Sequence, residues 1–600
     1  MRKVDTLFEK VLLITLIMFI FGCGGSGSGG TDANPQTGSL EVVIKGLSFK
    51  SGSNKGATSA TGQFTFKKDG KIQFSLGDFL VGKEVSGAAV IKLEDLFAAG
   101  NKDSKYGKTL QILNILDADL DTTNGIEISS ATVEGVSKEL KAIDLSSANF
   151  DAQYSALVEK VKVVSNNNNV QDLTSANAVV GYQKLLIQTL LNQKIATYDL
   201  PGIQLSIELP NNEVWHTTAG VANKETNTKM TNEHILRIGS ATKSFVALLI
   251  MQLVDEGKLS LTQTVEEFFP GKFPHGSEMT VKMLLNHTAG IFSFTNEFPG
   301  YDQVFNITST KPMEELWFYR YLGHSSFVYS NDSLVQIAVD AANGFVPTEA
   351  KPYLMNEPGT VWNYSNTHYV MLSQIAEQVT GNTWESEVEE RFITKLGLTH
   401  TTIPKNGEAE LTGLFASGYI NWVESQGAEA ASIFGYPDSD IDRTSNDPSY
   451  TGGSGNMIST TSDLLIWAKA VMKGDLLSPE TQAKLLDPFR VEAFGSAIEM
   501  ELGIVHDLKY KYFGHRGQMA GYDAAWQFFY TDINDVAGTG RPCAIVINRT
   551  LHLLDGNHTN GSALVLNDVL KILYGDDAVA EKHSKPSSAK KKKYLPLSEY

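Results

Sequence analysis

Cysteine is nearly absent: the 600 residues contain two, Cys23 and Cys543. That excludes a disulfide framework and a cysteine-rich zinc site. Positive charge is also short. The 50 Lys and Arg face 68 Asp and Glu, giving a formal net charge of −18, which argues against a general nucleic-acid binder and for an acidic soluble body. The N-terminal apolar run, Val11 to Phe21, is eleven residues long, too short to cross a bilayer. What is present is a globular balance, 42% apolar and 20% charged residues, in a chain long enough for two or more domains.

Arg2 and Lys3 precede the apolar run, so residues 1–22 read as a signal peptide. Its end, Ile20-Phe-Gly-Cys23, resembles a bacterial lipobox. The resemblance implies cleavage before Cys23, lipidation of its thiol and a membrane partner reached through that lipid. It also implies a lipid-anchored place in the bacterial cell envelope, on the periplasmic face or the cell surface. An ordinary secretory signal with a chance cysteine is the alternative. Residues 23–37, rich in Gly and Ser, form a flexible tether. Cys543, left unpaired, reads as a small buried core residue.

Residues 38–165 read as a small β-rich domain with a spacer or partner-binding role. Leu40-Glu-Val-Val-Ile, Gly62 to Phe66 and Lys71 to Leu76 are short alternating runs, with Lys68-Asp-Gly70 as a hairpin turn. The pattern Phe64-x-Phe66…Phe74-x-Leu76 resembles modules near the N-terminus of some bacterial surface lipoproteins. Helices are expected around Thr109 to Leu116 and Asp151 to Val161. Between them Asp117, Asp119 and Asp121 alternate as in a calcium loop. Thr122 stands where an EF-hand has Gly, however, and Ile128 where it has Glu, so a solvated acidic turn is preferred to calcium. Residues 166–175 are a linker, and 577–600, with Lys590 to Lys593, a disordered basic tail.

Residues 176–576 form the large domain. Strand patterns at Gly202, Glu213, Leu508, Ala524 and Ala544 bracket a helical middle from about Leu261 to Met472, and a helix over Gly561 to Tyr574 closes the domain. The expected fold class is α/β: one antiparallel sheet built from both ends of the domain, flanked by helices, with an all-helical lobe inserted.

Chemistry gathers at three motifs. In Gly239-Ser240-Ala-Thr-Lys243 the serine opens a strongly apolar helix as an N-cap, and the lysine one turn later shares its face. Taken alone, this is either a capped helix or an activated nucleophile. Tyr364-Ser-Asn366 sits on a loop before a helix and can aim a phenol and a carboxamide into one cleft. His515-Arg516-Gly517-Gln518 ends a strand, where Gly517 lets a ligand lie against the backbone. His287 and Asp463 read as structural residues.

The order Ser-x-x-Lys, Tyr-x-Asn, His-x-Gly resembles the penicillin-recognising serine hydrolases, the serine β-lactamase and D-Ala-D-Ala carboxypeptidase superfamily with its β-lactamase/transpeptidase-like fold and its esterase relatives. Leu284-Leu-Asn-His287-Thr-Ala-Gly290 and Gly452-Gly-Ser-Gly agree with it. The resemblance implies Ser240 as nucleophile, Lys243 as the group that takes or relays its proton, and Tyr364 as proton donor to the leaving group and helper of the deacylating water, with the acylation base left open between Lys243 and Tyr364. It also implies Asn366 as a holder of substrate and Lys243, the backbone N–H groups of Ser240 and Gln518 as oxyanion hole, and His515 as a pocket residue that bonds to Tyr364 or, protonated, to a substrate carboxylate. No cofactor or metal is implied. The substrate is a small molecule or a peptide: D-alanyl-D-alanine-like or ester, with β-lactamase activity or non-catalytic peptidoglycan binding as alternatives.

Where β-lactamases of this branch carry Lys-Thr-Gly, this chain has His515-Arg516-Gly517. Arg516 replaces the lost charge if it points inward; pointing outward, it leaves a more neutral, ester-suited site. The aromatic segment with Phe292, Phe294, Trp317, Tyr319 and Tyr329 is expected to wall the cleft.

Overall fold

The structure, a computed structural model, describes residues 35–121, 124–295, 328–342, 356–421, 437–493, 496–530, 532, 536, 540–550 and 561–575. Cys23, Trp317, Tyr319 and the basic tail lie outside them. The chain divides into two compact units between Ala178 and Val179.

The smaller unit carries two main sheets. Strands Gln63–Lys67, Pro35–Leu40 and Val90–Ile91 make one, and Asn54–Ala57, Ser48–Ser51, Lys71–Leu76 and Phe79–Ser86 the other. Alternation puts Phe64, Phe66, Ile72 and Phe74 inward, and Phe64 meets Phe74 edge-on at 5.2 Å. The turn at Lys68–Gly70 forms, with the Gly70 N–H donating to the Lys67 carbonyl at 2.8 Å. The expected hairpin does not, because the flanking strands enter different sheets and meet through their aromatic faces. Helices Ser104–Ile115 and Phe150–Ser165 follow. In the acidic turn, Asp117 is buried and accepts the Glu127 N–H at 2.9 Å, and burial pushes its carboxyl up to about 6. Asp119 closes the loop on itself by accepting from the Asp121 N–H and the Asn124 amide. Among the described residues, the side chains that converge within metal-binding reach do not include these three aspartates.

In the larger unit the strands are β1 (Gly202–Glu208), β2 (Val214–Asn223), β3 (Thr228–Lys229), β4 (Phe489–Ala493), β5 (Ser496–Met500), β6 (Val505–Asp507), β7 (Tyr512–Met519), β8 (Tyr522–Phe529) and β9 (Arg541–Ile547). They form a nine-stranded sheet in the order β3-β2-β1-β9-β8-β7-β6-β5-β4. Every neighbouring pair is antiparallel. The main helices are α1 (Ser175–Tyr198), α2 (Thr242–Asp255), α3 (Asn366–Thr380), α4 (Thr461–Lys473) and α5 (Gly561–Tyr574). One face of the sheet packs on α1 and α5 through Ile203, Ala525, Cys543 and Leu566. The other packs on α2 and the inserted lobe through Phe245, Trp526 and Val546. Among its described residues the lobe is mainly helical, with short ladders such as Leu236–Arg237 with Ile458–Ser459. Phe292, Phe294 and Tyr329 are buried; they pack rather than wall a cleft.

α2 explains how the Ser240 segment is fixed. Phe245 to Met251 and Leu253 are fully buried, so this helix is enclosed on most faces. At its start the Ser244 hydroxyl donates to the Ala241 carbonyl at 2.7 Å. It accepts from the indoles of Trp467 on α4 and Trp526 on β8, at 2.9 and 3.1 Å. One donor and two lone pairs are thus all used, tying helix, lobe and sheet at one oxygen. Ser244→Ala strands two buried indole N–H groups and is expected to cost at least about 2 kcal/mol. Urea unfolding of the variant checks this, and a loss under about 0.5 kcal/mol would contradict it.

Candidate active site

Gly239, at φ +49, takes a left-handed conformation that side chains resist. It starts a tight 3-10 turn, Gly239–Ala241, ahead of α2. The helix proper begins at Thr242 with Ala241 in the N-cap position. Ser240 therefore caps nothing, contrary to the sequence expectation, and its half-buried hydroxyl is free for other partners.

Lys243, one turn on, is fully buried. Its Nζ lies 2.9 Å from Ser240 Oγ, 2.6 Å from Asn366 Oδ1 and 2.7 Å from the Ser454 carbonyl. Desolvation drives its pKa well below the usual 10.5. The rings of Tyr364 and Tyr369 stand 5.0 and 5.6 Å from Nζ. Asn366, the first residue of α3, is oriented in turn: its Nδ2 donates to Thr295 Oγ1 at 2.8 Å and its N–H to Ser293 Oγ at 3.0 Å.

The third motif arrives along β7. A Cβ on Gly517 would fall 1.8 Å from the Ile238 carbonyl and 2.8 Å from the Ser240 nitrogen, so only glycine lets β7 lie against the Gly239–Ala241 turn. The register sorts the neighbours by face. His515 pairs with Trp526 and Arg516 with Ala525; Trp526 belongs to the α2 side and Ala525 to the α1–α5 side. Paired residues share a face, so Arg516 points away from Ser240, where its Nη2 donates to the Tyr512 hydroxyl at 2.8 Å. In the same ladder Met519 and Tyr522 close the turn to β8. Gln518 is then a position whose N–H faces the opposite edge of β7, past Gly514, where pairing with β6 ends.

His515 donates from Nδ1 to the Arg516 carbonyl at 2.6 Å, while its Nε2 is buried without a partner. It does not bond to Tyr364. Burial and the nearby Lys243 depress its pKa to about 3, so it is neutral near pH 7 and does not present the cation expected for a substrate carboxylate.

Two residues matter more here than their motifs suggested. His287, at φ +60, is fully buried, with its ring 4.4 Å from that of Tyr364. Its Nδ1 accepts the Ser365 N–H at 3.2 Å and its carbonyl the Asn363 N–H at 2.9 Å, so it braces the tyrosine loop from both sides. Ser454 contributes its carbonyl; Gly452-Gly-Ser-Gly stands out in the sequence, but with no role for that oxygen. Asp463 lies in the first turn of α4, where Thr460 is the cap, and accepts from the His400 N–H and the Thr401 hydroxyl.

Burial also pushes His368 down to about 3. The unfolded chain takes up these protons near pH 6.5, and the folded chain does not until near 3. The stabilisation is therefore complete above about pH 6.5 and is lost as pH falls toward 3, by up to about 1.4 kcal/mol per pH unit for each imidazole. Urea titrations across that window test this; His368→Asn should flatten the slope.

The Beta-lactamase family model matches residues 187–550. Penicillin-binding protein 4* of Bacillus subtilis is 23% identical over 342 residues, covering 56% of this chain and 67% of the relative. Penicillin-binding protein 4 of Amycolatopsis lactamdurans is 27% identical, covering 35% of this chain and 46% of the relative. The chain thus spans about half to two thirds of these curated relatives. Among solved structures, D-amino acid amidase of Ochrobactrum anthropi in complex with L-phenylalanine superimposes with a TM-score of 0.51 at 23% identity, over 64% of this chain and 97% of that one. With the family match spanning more than half of its length, the chain belongs to the β-lactamase family of serine hydrolases and penicillin-binding proteins.

Proposed function

We propose that this protein hydrolyses an amide or ester through an acyl-enzyme on Ser240, with Lys243 as the base. The partner set of Lys243 carries the reading. Asn366 Oδ1 and the Ser454 carbonyl can only accept, so a neutral amine gives them its two N–H bonds and turns its lone pair to Ser240 O–H. Burial favours that neutral form. As Oγ bonds to the carbonyl carbon, its proton passes to Nζ, and the resulting ammonium has three oxygens for its three donors. In this reading Tyr364 protonates the leaving amine or alcohol, and water then cleaves the acyl-enzyme. The N–H groups of Ser240 and Gln518 stabilise the oxyanion.

Within the D-alanyl-D-alanine-like to ester-like range, two observations support substrates without an obligatory carboxylate. Arg516 faces away from Ser240, and His515 is held neutral. D-amino acid amides and esters are the first substrates to test, in keeping with the amidase fold neighbour. β-Lactams, which carry a carboxylate, rank behind them. We also propose that acylated Cys23 tethers the enzyme in the cell envelope; Cys23→Ala should release it from the membrane fraction.

A fluorophosphonate probe is expected to label Ser240 by intact mass. Ser240→Ala should abolish the adduct and lower turnover by at least about 10³-fold. No Ser240-dependent adduct with this probe or a fluorescent penicillin would favour the ligand-binding alternative. Because the neutral amine is the active form, kcat/KM should fall as pH drops through the Lys243 pKa, with a midpoint well below 10.5.

A further inference from the structure

We propose that Glu499, Glu501 and His506, at the β5–β6 hairpin, hold a divalent metal ion of the zinc type, separate from the Ser240 centre. The register pairs Glu499 with His506, which brings both side chains to one face, and Glu501 lies two residues beyond Glu499. His506 Nδ1 is 3.2 Å from Glu499 Oε2 and 3.3 Å from Glu501 Oε1. Donor atoms arranged tetrahedrally around zinc, with bonds of about 2.1 Å, stand about 3.4 Å apart; each carboxylate oxygen is close to that distance from Nδ1, and all three donors lie within 4.8 Å of one another. The other imidazole nitrogen, Nε2, is 2.8 Å from the Tyr530 hydroxyl. Such an outer hydrogen bond fixes the ring and leaves Nδ1 for a metal. Phe513 stacks on the ring at 4.0 Å.

The second observation is an orphaned atom. Glu501 is 1% exposed, and its Oε2 has no hydrogen-bond partner. Two carboxylates and one imidazole in so dry a place carry excess negative charge unless protons or a cation neutralise it. A divalent ion with two carboxylates and a neutral imidazole sums to zero. His275, Glu278 and Glu357 also converge but are exposed, and water competes with any ion there.

The ion would be structural. Met500 and Val505, which flank the site, pack with Trp362 of the tyrosine loop. Between the strands, a Cβ on Gly503 would fall 2.3 Å from that of Ala247 on α2. The clasped hairpin therefore leans on both elements that carry the Ser240 centre.

The full chain, stripped with a chelator, would be titrated with Zn2+ by calorimetry and with Co2+ by visible absorption, with Mg2+ as control. Expected are one Zn2+ per chain, a zinc-dependent rise in Tm, a tetrahedral Co2+ spectrum and no uptake of Mg2+. Glu501→Gln and His506→Gln should each abolish stoichiometric binding. Glu499→Gln, at a less buried position, is the milder variant and should weaken it at least tenfold. Lack of stoichiometric Zn2+ binding by the wild-type chain, or binding that survives all three variants, would overturn the site. Fluorophosphonate labelling of Ser240 is read separately, so failure here does not bear on the hydrolase reading.

Discussion

An amine buried among uncharged oxygens is the constraint on which the centre depends. Lys243 has no exposure, and Ser240, Asn366 and Ser454 meet its nitrogen with a hydroxyl, an amide and a carbonyl. An ammonium in such a place is poorly compensated, so the surroundings must hold a group that would rather be neutral. They do so with fixed dipoles. Asn366 is locked by Thr295 and Ser293, and two phenol rings lie within 5.6 Å of Nζ. A carboxylate at any of these positions would stabilise the charged form.

The amine can be placed so closely because sheet and lobe are joined without slack. Gly517 brings the β7 backbone against Ile238 and Ser240, and the Ser244 hydroxyl links α2 to Trp467 and Trp526. His287 performs the corresponding task for the tyrosine loop. Geometry that must hold to a few tenths of an ångström rests on backbone contacts and buried hydrogen bonds rather than on surface ion pairs, which are soft and screened.

Much of this was legible before any coordinates. Ser240 and Lys243 are three apart, and helical periodicity alone puts them on one face. The alternation at Gly202, Ala524 and Ala544 marked strands, and their position at both ends of the domain implied the antiparallel sheet. What stayed hidden depends on register or on backbone atoms. The face taken by Arg516 follows only from its pairing with Ala525, and the part played by Ser454 belongs to a carbonyl that every residue has. The Lys68–Gly70 turn looked like a hairpin because local signals report the bend and not which sheet each strand joins. The Ser240 cap was misplaced for a similar reason: a 3-10 turn and the first turn of an α-helix differ in hydrogen-bond span, not in composition. The Asp117 turn gains no role from the fold, while Cys23 and the tail lie outside the described residues.

The order of the strands has a consequence for how the molecule comes into being. β1, at Gly202–Glu208, is hydrogen-bonded to β9, at Arg541–Ile547, so the middle of the sheet joins segments from opposite ends of the domain. Contacts of such long sequence separation form slowly and late. Until β9 emerges and docks, β1 is an exposed apolar edge open to pairing with other chains, and β8 lacks its neighbour on that side. A chain interrupted during synthesis therefore holds Ser240 and Lys243 without the completed sheet against them.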